Sequence, residues 1–161
     1  LQRDDGGTPL HRASVQTRQR LIAAGADVAA RDALGRTPLM TSAAPGPELL
    51  AAGIDTVDRH GFTALHWAAL AGAHDKVAWL LAQGANPRLR STSRYEHREG
   101  VLAAEFDPVI PFDPGQRALD LARFQYDSTK WATSRYTRTK ELLDAATPAD
   151  PGGWLRGLIG R

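Results

Sequence analysis

The chain has 161 residues, of which 20 are basic and 18 acidic, so its formal net charge is only +2. So small an excess provides no general attraction to nucleic acid or to anionic membranes. The absence of cysteine excludes a disulfide framework and a thiol nucleophile. No run of about 18 apolar residues is present, and therefore no membrane-spanning helix is predicted.

Two short helical units are predicted in the first third of the chain. Thr8 with Pro9, and Thr37 with Pro38, each place an N-capping Thr before a Pro at the first helical position, which favours a helix start. After the second start, the Pro- and Gly-rich segment 44–47 should end the first helix early and open only a stunted second one. These two units should bury less surface than the one that follows them.

The segment 58–87 predicts a complete helix–turn–helix unit. Thr63 can cap a first helix whose apolar surface is too wide for an isolated helix, and Gly72 ends it. A second helix over 75–83 aligns Val and Leu side chains on one stripe, and Gly84 provides the left-handed residue that closes it. Because this unit cannot bury its apolar face alone, the rest of the chain is expected to stack on it.

These units resemble the ankyrin repeat family. Residues 61–68 reproduce the G-x-T-P-L-H-x-A signature with Ala64 in place of Pro, and residues 80–87 match the family's L-L-x-x-G-A-D/N ending. The same pair of patterns recurs at 6–13 with 21–27, and at 32–39 with 49–55. The resemblance implies an all-α repeat fold, an ankyrin-repeat solenoid with β-turn fingers, in a domain over 1–146. Its repeats are expected at about 3–30, 31–55, 56–87 and 113–146, followed by a C-terminal tail over 147–161.

The fourth repeat is degenerate and is preceded by a long inserted arm. From Gly61 to Gly115 there are 54 residues, one family period of about 33 plus 21 more. The insertion is expected at about 88–112, and an extended hairpin or a wrapped loop fits its polar first half and apolar second half. Arg117 and Asp120 replace the family's Thr and His.

The histidines favour structural roles. The resemblance assigns His11 and His66, at the T-P-L-H position, to hydrogen bonds with backbone and with the Thr at the helix start. His60, His66 and His74 lack the i, i+4 spacing that would bring two imidazoles to one metal. No metal site and no cofactor are predicted.

No nucleophile is found in a catalytic context. The serines lie outside any G-x-S-x-G pattern, and no glycine-rich segment carries the lysine of a phosphate loop. The chain is therefore expected not to be an enzyme. The alternative of another class is a small hydrolase built on the insertion, around His97, Glu99 or Asp120.

By resemblance, the chain should bind a protein through its finger tips and first helices. Phe62, Arg36 and Arg59 lead as anchors, because aromatic rings bury much area and guanidinium groups fork to carboxylates. Phe62 and Leu70 are expected to be exposed apolar residues. The arm is expected to contact the partner, and the alternative is that it folds back over the two shortened repeats or the fourth. The predicted partner-binding residues are Arg31, Leu34, Arg36, Arg59, His60, Phe62, Leu70, Arg88, Arg90, Arg94, Tyr95 and Phe106.

The partner is expected to be one protein that the chain neutralises or regulates, as an immunity protein neutralises a bacterial toxin. Small size, Ala- and Arg-rich composition and truncated repeats motivate this hypothesis. The alternative is a recognition module of a larger scaffold or secreted effector. No nucleic acid partner and no membrane insertion are predicted, and the unbound chain is expected to be a monomer. A cytoplasmic location is expected, or a periplasmic one if an export signal was removed before Leu1.

Overall fold

The computed structural model describes residues 6–93, 95–96, 111–128 and 134–147. Within these residues the chain forms successive helical pairs, which agrees with the predicted all-α solenoid, and no helix among them is long and apolar enough to cross a membrane. The elements in chain order are a 3₁₀ helix Pro9–Arg12, α1 Val15–Ala23, α2 Pro38–Thr41, a second 3₁₀ helix Pro47–Ala52, α3 Ala64–Leu70, α4 His74–Ala82, β1 Tyr95–Glu96, β2 Pro111–Phe112, α5 Ala118–Ser128 and α6 Ser134–Ala146.

The third repeat occupies the middle of the core. All seven residues of α3 are buried, because the helix lies between α2, α4 and α5. The apolar stripe of α4 adds Val77 and Leu80, both fully buried, and α6 packs on α4 and α5. One continuous cluster of apolar side chains therefore joins the second, third and fourth repeats, as expected of repeats that cannot bury their faces alone.

The second repeat is stunted, as predicted. Its first helix, α2, has only four residues and ends at Thr41, ahead of the Pro- and Gly-rich segment 44–47. Its second helix is replaced by the 3₁₀ helix Pro47–Ala52. Proline lacks a backbone N–H and its ring clashes with the preceding turn, so a regular α-helix cannot pass through this segment.

A tight turn, here called a finger, leads into the second repeat and another into the third. In the second repeat the backbone N–H of Asp32 donates to the carbonyl of Arg36 (3.0 Å), and the N–H of Gly35 donates to the carbonyl of Asp32 (2.9 Å). Asp58 and Gly61 take the same parts in the third repeat, with hydrogen bonds of 3.0 and 3.1 Å. Only two residues separate the Asp from the Gly in each of these fingers.

The inserted arm emerges from the tip of the fourth finger. Ser91 stands where the other fingers have Asp: its N–H donates to the carbonyl of Gln116 (2.8 Å), and its own carbonyl accepts from the N–H of Gly115 (2.9 Å). Residues 92–114 thus replace the two tip residues, which accounts for the 21-residue excess. This scheme places the insertion at 92–114, against the expected 88–112, because residues 88–91 still follow the path of the earlier fingers.

The base of the arm is an antiparallel hairpin. Tyr95 pairs with Phe112 and Glu96 with Pro111 in a two-residue ladder between β1 and β2. Of the two expected forms, hairpin and wrapped loop, the base has the first. The expectations for Arg94, for residues 97–110, which include His97, Glu99 and Phe106, and for the tail beyond Thr147 lie outside the described residues.

Candidate partner-binding surface

The finger tips are joined to one another through their backbones. The N–H of Arg59 donates to the carbonyl of Leu34 in the preceding finger (3.1 Å), and the N–H of Thr92 donates to the carbonyl of His60 (2.9 Å). Gly61 allows the second of these hydrogen bonds, between Thr92 and His60. Its φ is +77°, and a Cβ there would lie 2.6 Å from the Thr92 nitrogen. The second, third and fourth fingers therefore form one continuous, hydrogen-bonded row.

His11 and His66 each join the start of one helix to the following finger. Nδ1 of His11 accepts from the N–H of Thr8 (3.2 Å), and its Nε2 lies 2.9 Å from the carbonyl of Arg36. In the third repeat Nδ1 of His66 accepts from the N–H of Thr63 (3.2 Å), while Nε2 lies 3.1 Å from the carbonyl of Gln116. These partners assign the proton to Nε2 in both rings.

Burial lowers the pKa of His66 below its ordinary value, which favours this neutral form. Both imidazoles are thus fixed by backbone and by the Thr at the helix start, and the structural role predicted for His11 and His66 is confirmed.

The second and fourth repeats have other residue pairs at the positions of the helix-start Thr and the His. In the second repeat Met40 stands in place of His, and its sulfur accepts from the N–H of Thr37 (3.4 Å). The Thr37 hydroxyl is buried, and no hydrogen-bond partner is found for it among the described residues. In the fourth repeat Arg117 donates through Nε and Nη2 to the two carboxylate oxygens of Asp120, at 3.0 and 3.1 Å.

The pKa of Asp120 reflects this pairing. Burial raises the pKa of the carboxyl, but the hydrogen bonds and charge of Arg117 outweigh it, so the pKa lies below the ordinary value. Asp120 is therefore an ionised partner in a structural fork. Of the residues named for a hydrolytic site, it is the one within the described part of the chain.

Four of the predicted contact residues are exposed arginines: Arg59 at a finger tip, Arg31 and Arg90 directly before a finger, and Arg88 three residues before Ser91. Leu34 and His60 are half-buried at the tips. The predictions for Arg94 and for the side chain of Tyr95 lie outside the described residues, as does Phe106.

Arg36 is largely taken up by contacts within the fold. Its Nε donates to the buried carboxylate of Asp32 (2.7 Å), and its guanidinium lies over the Trp67 ring at 5.1 Å. Its side chain is only 14% exposed, so it is a poor candidate for a leading anchor.

The expectation that Phe62 and Leu70 are exposed was wrong. Phe62 is 0% exposed: its ring stacks on His66 at 5.4 Å and meets Trp67 edge-on at 5.6 Å. The backbone N–H of Phe62 also donates to the carboxylate of Asp58 in the same finger (2.9 Å). Leu70 is 3% exposed because α3 is covered on all sides by its neighbours. An aromatic side chain gains about 2 to 3 kcal/mol from burial, which favours the inward position.

The architecture is that of a helical-repeat module, with one face built from hydrogen-bonded fingers. Residues 14–91 match the family model for ankyrin repeats (3 copies), and this part of the chain is a set of ankyrin repeats. Ankyrin repeats are modules of protein interaction, so the fold and the finger row together point to a protein partner.

The chain is also similar to segments of three plant proteins. It is 46% identical over 56 residues to calmodulin-binding transcription activator 6 of Arabidopsis thaliana, which is 35% of this chain and 7% of that protein. It is 46% identical over 52 residues to calmodulin-binding transcription activator CBT of Oryza sativa subsp. japonica, covering 32% and 6%. Calmodulin-binding transcription activator 5 of Arabidopsis thaliana is 44% identical over 60 residues, covering 37% and 6%.

These similarities bear on the hypotheses for the partner. The chain covers 6 to 7% of the length of the relatives that it matches, and their names describe no toxin inhibitor. The bacterial immunity hypothesis receives no support from them. The ankyrin family assignment supports the coarser conclusion, a module that binds protein.

Proposed function

We propose that this chain is a recognition module that binds one protein partner through its finger row and the base of its inserted hairpin. The observation that carries the proposal is the continuous row of fingers, joined by backbone hydrogen bonds and presenting Arg31, Arg59, Arg88 and Arg90 to solvent. Arginine is well suited to this use, because its planar group forks to carboxylates and stacks on flat surfaces.

Rigidity of the row favours tight binding. Each finger is closed by two backbone hydrogen bonds and joined to its neighbour by a third, so little backbone freedom is left to lose on association. The arm leaves the row at the fourth finger, directly after Ser91, and its base pairs as a hairpin. A partner that covers the fourth finger would therefore meet the base of the arm.

Two versions of this function differ in what surrounds the module. The chain inhibits or regulates a single protein, as in the immunity hypothesis, or it is the recognition part of a larger scaffold. The similarity to short segments of much longer proteins supports the second version.

Affinity capture from a lysate of the source organism tests the proposal. The bait is the full chain, and the mass of each purified complex is measured. One protein recovered at equal stoichiometry is expected for an inhibitor, and several different proteins for a scaffold module. Turnover of a small substrate by the chain with no protein captured would contradict the proposal.

A shortened variant then tests the arm. Residues 92–114 are replaced by Ala-Leu, the two tip residues of the second finger, so that the finger closes as its neighbours do. The variant should keep its thermal midpoint and bind the captured partner at least about tenfold more weakly, a loss of about 1.4 kcal/mol. Unchanged affinity in a folded variant removes the arm from the interface, whereas loss of folding assigns the arm to the core.

A further inference from the structure

Three residues at equivalent positions form a stripe across the second, third and fourth fingers. Arg31, Val57 and Arg90 each stand directly before the residue whose backbone closes the finger. All three are exposed, and the side chain of Val57 is one of the large hydrophobic groups that the described residues present to solvent, at 42% exposure. We call this set the Arg–Val–Arg stripe.

The two arginines of the stripe are held in the same way. Nη1 of Arg31 donates to the carbonyl of Gly35 (2.8 Å) and to the carbonyl of Val57 (2.8 Å). Nη1 of Arg90 donates to the carbonyl of Gly115 (2.7 Å), the glycine equivalent to Gly35. Among the described residues these bonds use Nη1 alone, and a guanidinium has five N–H donors in a fixed fork. Each guanidinium is thus held by its own finger, and both residues are exposed.

The carboxylates nearest the stripe in the chain are already occupied. Asp32 is buried and pairs with Arg36 (2.7 Å), and Asp58 is buried and accepts from the indole N–H of Trp67 (2.8 Å). Neither is available to the stripe arginines. Asp120, which interacts electrostatically with Arg90, is already forked to Arg117. The stripe therefore presents two oriented positive charges on either side of an exposed aliphatic side chain.

We propose that the Arg–Val–Arg stripe binds an acidic segment of a protein partner, in which two carboxylates flank an aliphatic residue. Each carboxylate pairs with the outer edge of one guanidinium, and the aliphatic side chain packs on Val57. The inference rests on the proposed protein-binding function and names the chemistry of the partner. A nucleic acid is the less fitting ligand, because a phosphate backbone offers nothing for Val57 and the chain's net charge is only +2.

The geometry also predicts the spacing in the ligand. Packed helices lie about 8 to 10 Å apart, so two repeats separate the arginines by roughly 16 to 20 Å. An extended chain advances about 3.3 Å per residue. The two acidic residues are therefore expected about five or six positions apart, with the aliphatic residue midway.

Selection from a random 12-residue peptide display library on the immobilised chain tests this inference. Enriched peptides should carry two Asp or Glu residues at the expected spacing around an aliphatic residue. Anisotropy titration of the labelled peptides should show at least tenfold weaker binding to R31E/R90E and weaker binding to V57S. The matched control is R20E/R138E, which makes the same change in net charge at exposed arginines of α1 and α6 and should bind as the parent does.

Further variants and probes keep the test decisive. R31Q/R90Q removes the charge but keeps an N–H for the finger carbonyls, and the thermal midpoint of every variant shows whether it is folded. Equal losses in the stripe and control variants, or competition by a 20-nucleotide DNA duplex, would overturn the stripe as an acidic-peptide site. Enriched peptides that bind R31E/R90E normally reject the stripe but leave protein binding standing. A selection that enriches nothing also rejects the stripe, and the capture experiment then decides the protein-binding function by itself.

Discussion

The second and third repeats share one core but are held together by different forces. The third has two regular α-helices, α3 and α4, and its contribution is apolar burial. The second has only the four-residue α2 and a 3₁₀ helix. Residues 42–46 between them, here called the connector, are bound by charged side chains from both neighbouring repeats.

Those charged side chains are Arg18 of α1 and Lys76 of α4. The Arg18 side chain, 2% exposed, pairs with Glu48 (2.6 Å) and donates to the hydroxyl of Ser42 (3.1 Å) and the carbonyl of Ala44. From the other side, Nζ of Lys76 donates to the carbonyls of Met40 (3.0 Å) and Ser42 (2.7 Å).

The comparison shows how a repeat can lose helix and remain folded. A helix of four residues leaves its last carbonyls without intrahelical partners, and buried carbonyls require some donor. Two long cationic side chains from adjacent repeats supply the donors here. The order of the second repeat therefore depends on its neighbours more than on its own sequence.

The largest effect is expected from a change in the apolar core of the third repeat. Leu80→Ala removes a fully buried side chain from α4 and should cost about 2 to 5 kcal/mol of unfolding free energy. Urea denaturation measures the loss, and Ala78→Ser on the exposed face of the same helix is the control. An unchanged midpoint for the Leu80 variant would show that the third repeat is not the centre of the core.

The buried Lys76 beside the second repeat predicts that the stability of the fold depends on pH. Burial lowers the pKa of Lys76 from its ordinary value of 10.5 to about 7 in the folded chain. Between these values the unfolded chain binds more protons than the folded one, so stability should rise with pH from about 7 toward 10.5.

The slope is at most about 1.4 kcal/mol per pH unit, and the change between pH 7 and pH 9 is about 2 kcal/mol because Lys76 is still half protonated at pH 7. Denaturation midpoints of the parent and Lys76→Met across this range measure it. Parallel pH profiles for the two proteins would assign the dependence to other groups.

Arg18→Met should destabilise the chain by about 2 to 3 kcal/mol, because it leaves the hydroxyl of Ser42 and the carbonyl of Ala44 without this donor. Arg20→Met, on an exposed position of the same helix, should be nearly neutral. Thermal unfolding of the two variants gives the difference. Equal midpoints would mean that the connector is ordered without Arg18.

The smallest expected change is a gain. Met40→His restores the residue found at this position in the first and third repeats, where the ring contacts the helix-start Thr and the next finger. The new ring can pair with the buried Thr37 hydroxyl, and we expect a gain of about 1 kcal/mol. Calorimetry checks the sign, with His66→Met as the reverse exchange. A lower midpoint for Met40→His would indicate that the pocket is too small for the ring.

Local signals predicted much of the fold. Proline at 45 and 47 located the break in the second repeat, and the Thr and His pairs located the helix starts and the roles of both rings. The glycine spacing gave the length of the insertion because the finger glycines are needed where neighbouring backbones meet.

Other features depend on contacts between residues far apart in the sequence. Phe62 follows a finger glycine, where side chains are often exposed, and only its packing on His66 and Trp67 shows that it points inward. Arg18 and Lys76 resemble ordinary surface residues of their helices, and their burial follows from the missing helix in the repeat between them. The exposure of Arg31 and Arg90 was predicted, but their common orientation required the finger hydrogen bonds.

The closed base of the arm has a consequence for how this protein can diversify. Ser91 and Gly115 meet through a hydrogen bond of 2.9 Å, and the strand pair beyond them holds the two ends of the insert together. Closed ends make the length of the insert a small cost, since doubling the length of a flexible loop costs only about 0.6 kcal/mol. If the shortened variant stays folded, the fourth fingertip is a graft site, where foreign peptides or small domains can be installed without changing the repeats.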